Sequence, residues 1–506
     1  MWIYLVIILS ALLLHFLWVR KDQYRLGWQM PGPSLWYMIK TICHTLLNTS
    51  EGVPKVGMLE SIKLVKDHIS KVPCRFWFFT DLYVFVIDPE DIQTILNSPN
   101  CFDRGLMYEF GDFFAKNGIG IGKMHKWKQS RKTLNPVFST KACQGYLTIF
   151  NEEINVMVSR MKDICRNHKP VDIQYYISAL VFSSVYRTMM GKKMYFQMDE
   201  NYDLGEHIDK ILFGIGERVC NPFLHNSALY RLTSLYRAEQ KSSNIVFGMA
   251  KKIIDEAKAK WLENREELKN QGVNAASKKF PIFVDQIFGN NLKENEIDDK
   301  DVFDNIYTML AAGYETSTVT SLFCILAMAM FPEYQERIFE EIKTTLPNLQ
   351  DYVEYEDLNK CEFLDRFIKE TLRLFPSLPL IVRSVEKATK IGQYTIPAGT
   401  QLIIPLIFLH REKSFWGPTA DDFDPDRFLP ENIEKVNPLA YLPFAGGPKI
   451  CIGIKYANTF LKTFLINMVK NFKFRTDVKI QDLKFKANLS LKLTAKHLIY
   501  VEKRMN

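Results

Sequence analysis

Cys451 stands in Phe444-Ala-Gly-Gly-Pro-Lys-Ile-Cys451-Ile-Gly453, an aromatic residue and a glycine-rich turn just ahead of an apolar helical pattern. Backbone N–H groups of such a turn, and the positive end of the helix that follows, favour a thiolate over a thiol. With no second Cys or His close by, this sulfur cannot build a zinc or iron–sulfur cage, which needs several protein ligands. A lone thiolate can instead serve as the axial ligand of a haem iron. A buried structural role is the ordinary alternative for a cysteine, and we assign it to the others.

A second cluster lies upstream. Asp301 to Phe331 reads as one long apolar helix stopped by Pro332. In its middle is Ala311-Ala312-Gly313-Tyr314-Glu315-Thr316-Ser317. A mid-helix glycine costs about 1 kcal/mol relative to alanine, so it invites a reason, and small residues let a flat cofactor approach the backbone. Thr316 can bond back to the Ala312 carbonyl and open the helix locally. A buried acid beside an alcohol, Glu315 and Thr316, suits proton delivery to bound dioxygen. Further on, Glu370-Thr-Leu-Arg373 places an acid and a guanidinium on one helix face. Trp127-Lys-Gln-Ser-Arg131 does the same with an indole donor and a guanidinium.

In this company and order the chain resembles the cytochrome P450 superfamily. Phe444, Gly447, Cys451 and Gly453 match its Phe-x-x-Gly-x-x-x-Cys-x-Gly loop, and Ala312 to Ser317 fit its oxygen-side helix motif. Phe423-Asp-Pro-Asp-Arg427-Phe428 resembles its meander. The wording around Phe423 and Pro448 is most similar to clan 4, insect members in particular. The resemblance implies haem b ligated by Cys451, with Phe444, Ala312, Gly313 and Gly453 against it. It implies a buried triad of Glu370, Arg373 and Arg427, and propionate contacts from Trp127, Arg131 and Arg383. Lys449 stands where the family usually has arginine, which keeps charge but loses the bidentate fork. Ala312 stands where many clan 4 enzymes carry a glutamate esterified to haem, so haem without that covalent bond is expected.

The implied activity is insertion of one oxygen atom into an apolar small molecule: a xenobiotic, fatty acid, hormone or other lipid. Electrons would come from NADPH through NADPH-cytochrome P450 reductase, with cytochrome b5 as a further donor. Lys123, Lys126, Lys128, Lys132 and Lys455 are candidate docking residues. The candidate substrate pocket comprises Ile306, Met309, Leu310 and Tyr314, with Tyr314 reaching over the haem. Phe110, Phe113, Phe114, Leu378 to Val382 and the turn near Leu489 complete it. Other readings are an isomerase or dehydratase acting on peroxides, and a non-catalytic haem protein; the complete Glu315–Thr316 pair favours oxygen activation.

These residues must be positioned by a large body. The chain has 506 residues, 47% hydrophobic, with 36 Phe. Its 9 cysteines are scattered without a Cys-x-x-Cys pair, which argues for a reducing compartment. The net charge of +8 fits a membrane surface or an acidic redox partner and does not call for nucleic acid. Trp2 to Val19 is apolar, spans about 27 Å as a helix, and is followed by Arg20, Lys21 and Arg25. It reads as a single-pass anchor in the endoplasmic reticulum membrane (the microsomal fraction), with the catalytic body cytosolic. The expected division is anchor 1–20, linker and Pro-rich hinge 21–33, and haem-thiolate domain 34–506.

The body reads as α+β, mostly α, the P450 fold. Helical period dominates from about 123 to 345, with loops near 196–203, 221–226 and 270–282. Val84 to Ile87 reads as a strand. Ile391–Ile396 and Gln401–Ile404 flank Pro397-Ala-Gly-Thr400 as a hairpin, and 473–503 reads as short strands. Gly118-Ile-Gly-Ile-Gly122 lacks the spacing of a phosphate loop and is expected to be a flexible loop.

Overall fold

The computed structural model describes residues 2–34, 73–78, 80–111, 117–165, 169–198, 204–270, 282–284, 299–347, 352–487 and 489–504, with isolated residues 36, 65, 68, 115 and 287. Phe113, Phe114 and most of the expected loops 196–203 and 270–282 lie outside it.

The principal helices are α1 (Trp2–Val19), α2 (Lys21–Gln29), α3 (Pro89–Asn97), α4 (Met124–Leu134), α5 (Thr140–Ile164), α6 (Gln174–Met190), α7 (Leu204–Cys220), α8 (Ser234–Asn270), α9 (Asp299–Met330), α10 (Pro332–Thr345), α11 (Glu362–Leu374) and α12 (Ile454–Asn471). Their ends follow local chemistry. The Asp88 carboxylate accepts from the N–H groups of Glu90 and Asp91, with Pro89 in the first turn, and so starts α3. Ser139 caps α5. Gly191, at φ 70°, closes α6. Pro332 ends α9 and opens α10, because it has no N–H to continue the ladder.

The strands are β1 (Cys74–Phe78), β2 (Asp81–Phe85), β3 (Val171–Asp172), β4 (Ile381–Ser384), β5 (Thr389–Ile391), β6 (Tyr394–Ile396), β7 (Gln401–Ile404), β8 (Phe472–Arg475), β9 (Phe485–Ala487), β10 (Leu491–Leu493) and β11 (Leu498–Lys503). They form sheets ordered β1-β2-β7-β4, β10-β9, β3-β11-β8 and β5-β6. The expected hairpin is corrected here. β6 pairs with β5 across Gly392, at φ 55°, whereas β7 runs parallel to β2 and antiparallel to β4. A short Gly turn sets a hairpin register locally; the Pro397–Thr400 segment only carries the chain to another sheet.

Residues 21–29, expected as linker, are helical and docked. Tyr24 stacks on Trp77 at 5.1 Å, and Arg20 pairs with Asp81 at 2.7 Å. The Pro-rich hinge is also held: Arg75 donates to the carbonyls of Met30 and Pro33, and its N–H to that of Pro31. α1 is continuous, with Val6, Ile7, Leu13, Leu14, Trp18 and Val19 exposed. Among the described residues, the helix long and apolar enough to cross a membrane is Lys300–Met330. That helix is the buried centre of the body, with α6 along it and α10, α11 and α12 packed against it. α12 also lies along α5.

Candidate functional site

The loop before α12 is conformationally demanding. Ala445 is the one non-glycine residue at positive φ among the described residues, at 60°. Gly447 sits at φ +66° with the Leu96 carbonyl oxygen 2.5 Å from where a Cβ would be. Only glycine fits there. The Cys451 N–H donates to the Phe444 carbonyl at 2.9 Å, which closes the loop and explains why Phe444 and Cys451 keep this spacing.

Cys451 is exposed to solvent, whereas the other described cysteines are buried or half-buried and all are free. Yet protein surrounds the thiol so fully that burial pushes its pKa up, against the Gly453 N–H, Arg131 and Arg104, which pull it down. A reachable but enclosed sulfur is one on the wall of an internal cleft. Coordination to a metal ion would offset that burial and favour the thiolate.

α9 carries the residues expected on the oxygen side. Ala312 is exposed and Thr316 partly so in the middle of a helix that is otherwise core. Thr316 Oγ1 donates to the Ala312 carbonyl at 2.7 Å, as the sequence suggests. Gly313 turns toward α6, where an added Cβ would meet Val185 at 3.4 Å, so it is Ala312 and not Gly313 that stays open. Tyr314 is corrected: it is 2% exposed and packs edge-on to Phe182, on the opposite side of the helix from Ala312 and Thr316. Two residues of helix turn a side chain about 200° away. Of the pocket candidates, Leu378 is open at 42%, while Ile306, Met309, Leu310, Phe110, Leu380, Ile381 and Val382 are buried. Leu489 is half-buried.

Cations converge beside the sulfur. Arg131 donates to the Ile450 carbonyl at 2.8 Å and lies one turn from Trp127, which packs on Phe102. Arg383 is buried, and burial together with Arg104 lowers its pKa to about 10. Lys449 is buried with its ammonium 4.1 Å from the Phe102 ring, and burial, Arg104 and Arg383 lower its pKa to about 7. Arg104 was not singled out in the sequence, yet it lies close enough to influence Arg131, Arg383, Lys449 and Cys451. Its Nε has no partner among the described residues. A lone arginine ahead of Gly105 offers no motif that would have revealed it. Crowded buried cations of this kind call for anions, and the two propionates of haem meet that requirement. The donor set therefore fits haem.

The supporting scaffold is equally explicit. Glu370 and Arg373 are fully buried and joined twice, at 2.6 and 2.8 Å. Arg373 also donates to the carbonyls of His410, Ala420 and Asp422. Arg427 sits 3.6 Å from Glu370 and spends its hydrogen bonds on Trp416 and Thr419. His410 is the missed link. Its Nε2 accepts from the Leu442 N–H at 3.0 Å, at the start of the Cys451 loop. Burial and Arg373 lower its pKa to about 3, so it is neutral with its proton on Nδ1.

The glycine loop 118–122 is likewise not a free loop. The Ile119 N–H donates to Asn305, that of Asn117 donates to Asp304, and Gly118 lies too close to Thr308 for any side chain. It fixes α4, and with it Trp127 and Arg131, onto α9. Lys126 is paired with the buried Asp301 and belongs to this clamp. Lys123, Lys128, Lys132 and Lys455 are exposed.

Comparison with known proteins agrees with this arrangement. The family profile described as Cytochrome P450 matches residues 55–500. The chain belongs to the cytochrome P450 family. Membership implies haem-thiolate iron as the cofactor and monooxygenase activity. Over 98% of its length the P450 is 28% identical to "Probable cytochrome P450 313b1" of Drosophila melanogaster, covering 99% of that protein. It is also 28% identical to "Cytochrome P450 4c21" of Blattella germanica, over 82% of this chain and 83% of that one. To human "Cytochrome P450 4V2" it is 26% identical, over 94% of this chain and 90% of that protein. The resemblance to clan 4 and its insect members stands.

Proposed function

We propose that this P450 is a membrane-anchored monooxygenase in which Cys451 is the axial thiolate, and that it oxidises an apolar small molecule of the xenobiotic, fatty-acid, hormone or other lipid classes. The observation that carries the reading is the Cys451 sulfur, open to an internal cleft and bordered by Arg131 and Arg104. Bound haem would supply the iron needed for dioxygen reduction. Trp127, Arg131, Arg383, Lys449 and Arg104 would hold its propionates, and a carboxylate beside Lys449 would favour the charged ammonium. Phe444 and Gly453 flank the sulfur, and the Gly453 N–H stabilises negative charge on it.

Ala312 leaves the oxygen side without a carboxylate to esterify, so haem is held non-covalently. Thr316, tied to the Ala312 carbonyl, holds a hydroxyl at the cleft, and Glu315 supplies protons to it. Glu315 is buried and its carboxylate is engaged by Lys492 at 2.8 Å and by Ser490, so delivery requires the side chain to turn toward Thr316. Electrons come from NADPH through a P450 reductase, and from cytochrome b5, docking on the exposed Lys123, Lys128, Lys132 and Lys455. The domain reading is an anchor at 1–20, a docked α2 and hinge at 21–33, and the catalytic body 34–506. The exposed apolar residues of α1 and Arg20, Lys21 and Arg25 after it support anchoring in the endoplasmic reticulum with the body cytosolic. The reduced, CO-bound spectrum tests the centre: a band without the thiolate red shift overturns the assignment of Cys451.

A further inference from the structure

Glu315, Lys492 and Asp209 come from α9, β10 and α7, and they meet. Lys492 Nζ is 2.8 Å from Glu315 Oε1 and 3.4 Å from Asp209 Oδ1. The Asp209 and Lys492 side chains are 32% and 30% exposed, and that of Glu315 is 9%. The cluster therefore runs from solvent inward. Beside it is a cavity of about 20 Å³ whose walls include Asp209, Glu315, Lys492, Ser178, Thr318 and His497. That volume holds about one water. Thr318 Oγ1 and His497 Nδ1, both on these walls, have no hydrogen-bond partner among the described residues. Buried polar atoms are normally satisfied, so a water belongs there.

We propose that Asp209 is the outer end of a proton route whose inner end is Glu315, the two carboxyl groups lying within hydrogen-bond reach of each other and Lys492 positioning both. The proposal rests on the reading of Glu315 as proton donor to the cleft. In each transfer the O–H bond of protonated Asp209 breaks and its proton passes to the Glu315 carboxylate, forming a new O–H bond there. Solvent then reprotonates Asp209. No electrons move, and Lys492 stays an ammonium throughout.

The groups facing Asp209 suit this division of labour. Burial pushes its carboxyl up to about 6, against the pull of Lys492 and with the help of Glu315, so it exchanges protons near neutral pH. Burial works against the Lys492 charge, but Glu315 and Asp209 outweigh it and hold its pKa up. Tyr314, pushed well above its ordinary value by burial, keeps its proton, and His497, lowered by burial to about 4, stays neutral. On its own helix, Glu206 and Lys210 pair at 2.7 Å, the lysine one residue on.

The test uses the full haem-loaded chain with NADPH and reductase, no substrate added, and Asp209→Asn, Lys492→Met, Lys492→Arg and Glu315→Gln. Oxygen consumption is followed in H2O and D2O. Infrared spectra of the same proteins read the protonated-carboxyl band across pH. The route predicts a band titrating near pH 6 that is lost in Asp209→Asn. It predicts several-fold slower oxygen consumption with a larger solvent isotope effect in Asp209→Asn and Lys492→Met, and near-normal behaviour in Lys492→Arg. If Glu315→Gln slows oxygen consumption while Asp209→Asn matches the parent, or the band survives in Asp209→Asn, the route is overturned and the role of Glu315 stands. If Glu315→Gln is itself without effect, the underlying reading falls.

Discussion

Replacing Arg373 by Met would test how the Cys451 loop is held. Arg373 and Glu370 are both fully buried, and the guanidinium joins both carboxylate oxygens and the carbonyls of His410, Ala420 and Asp422. Removing one side of a buried pair costs about 3–5 kcal/mol, because the other charge is left uncompensated. Each buried carbonyl left without its donor adds on the order of 1 kcal/mol or more. The whole lies within the net stability of a typical domain, about 5–15 kcal/mol. Arg373→Met should therefore yield chain with little bound haem, a much lower melting temperature and no thiolate-type CO band. The double variant Glu370→Leu/Arg373→Met removes the orphaned charge and should recover part of that loss, although the carbonyls stay unpaired. Melting curves and CO spectra of the three proteins decide the matter. An Arg373→Met protein with normal haem content and melting temperature would refute the reasoning, as would a double variant less stable than the single one.

The link through His410 should show in His410→Leu, which leaves the Leu442 N–H without its acceptor; we expect about 1–3 kcal/mol of destabilisation and faster haem loss to an apo-globin acceptor. Burial lowers His410 to about 3 and His497 to about 4, so both native imidazoles exclude a proton that the unfolded chain binds below about 6.5. Their contribution is complete above that pH and lost as pH falls toward the folded values, reaching about 2 kcal/mol each at pH 5; denaturant melts of the His497→Leu variant should show a shallower acid limb. Gly447→Ala places a Cβ in a left-handed conformation against the Leu96 carbonyl and should cost more than about 1–2 kcal/mol, with lowered haem retention in melts followed at the haem band. Haem should partition into acidified organic solvent from the denatured native chain, because Ala312 cannot form an ester; haem that stays with the polypeptide would contradict this.

Much of the site was legible because its motifs are local. The Cys451 loop, the Thr316 back-bond to Ala312 and the Glu370–Arg373 pair each depend on residues within about two helical turns, where spacing alone sets the neighbours. Helix limits at Pro89, Gly191 and Pro332 were readable for the same reason, since capping and φ restriction act within a few residues. Other features depend on packing between segments distant in the chain. Asn305, Asp304 and Thr308 receive the glycine loop 118–122, so glycines that suggested freedom instead allow close approach. β7 chose β2 and β4 over β6, because its partners are set by the larger sheet and not by the intervening turn.

By itself, then, the sequence determined the chemistry available: a solitary thiol in a glycine turn, an acid–alcohol pair in an apolar helix and a buried-type Glu–Arg scaffold. Tertiary structure decided how those groups are used. It brought Arg104 and His410 to the site, turned Tyr314 away from it, and gave Glu315 to Lys492 and Ser490. The physical reason is common to these cases: desolvation and long-range ion pairing are properties of the packed environment, and no local spacing encodes them.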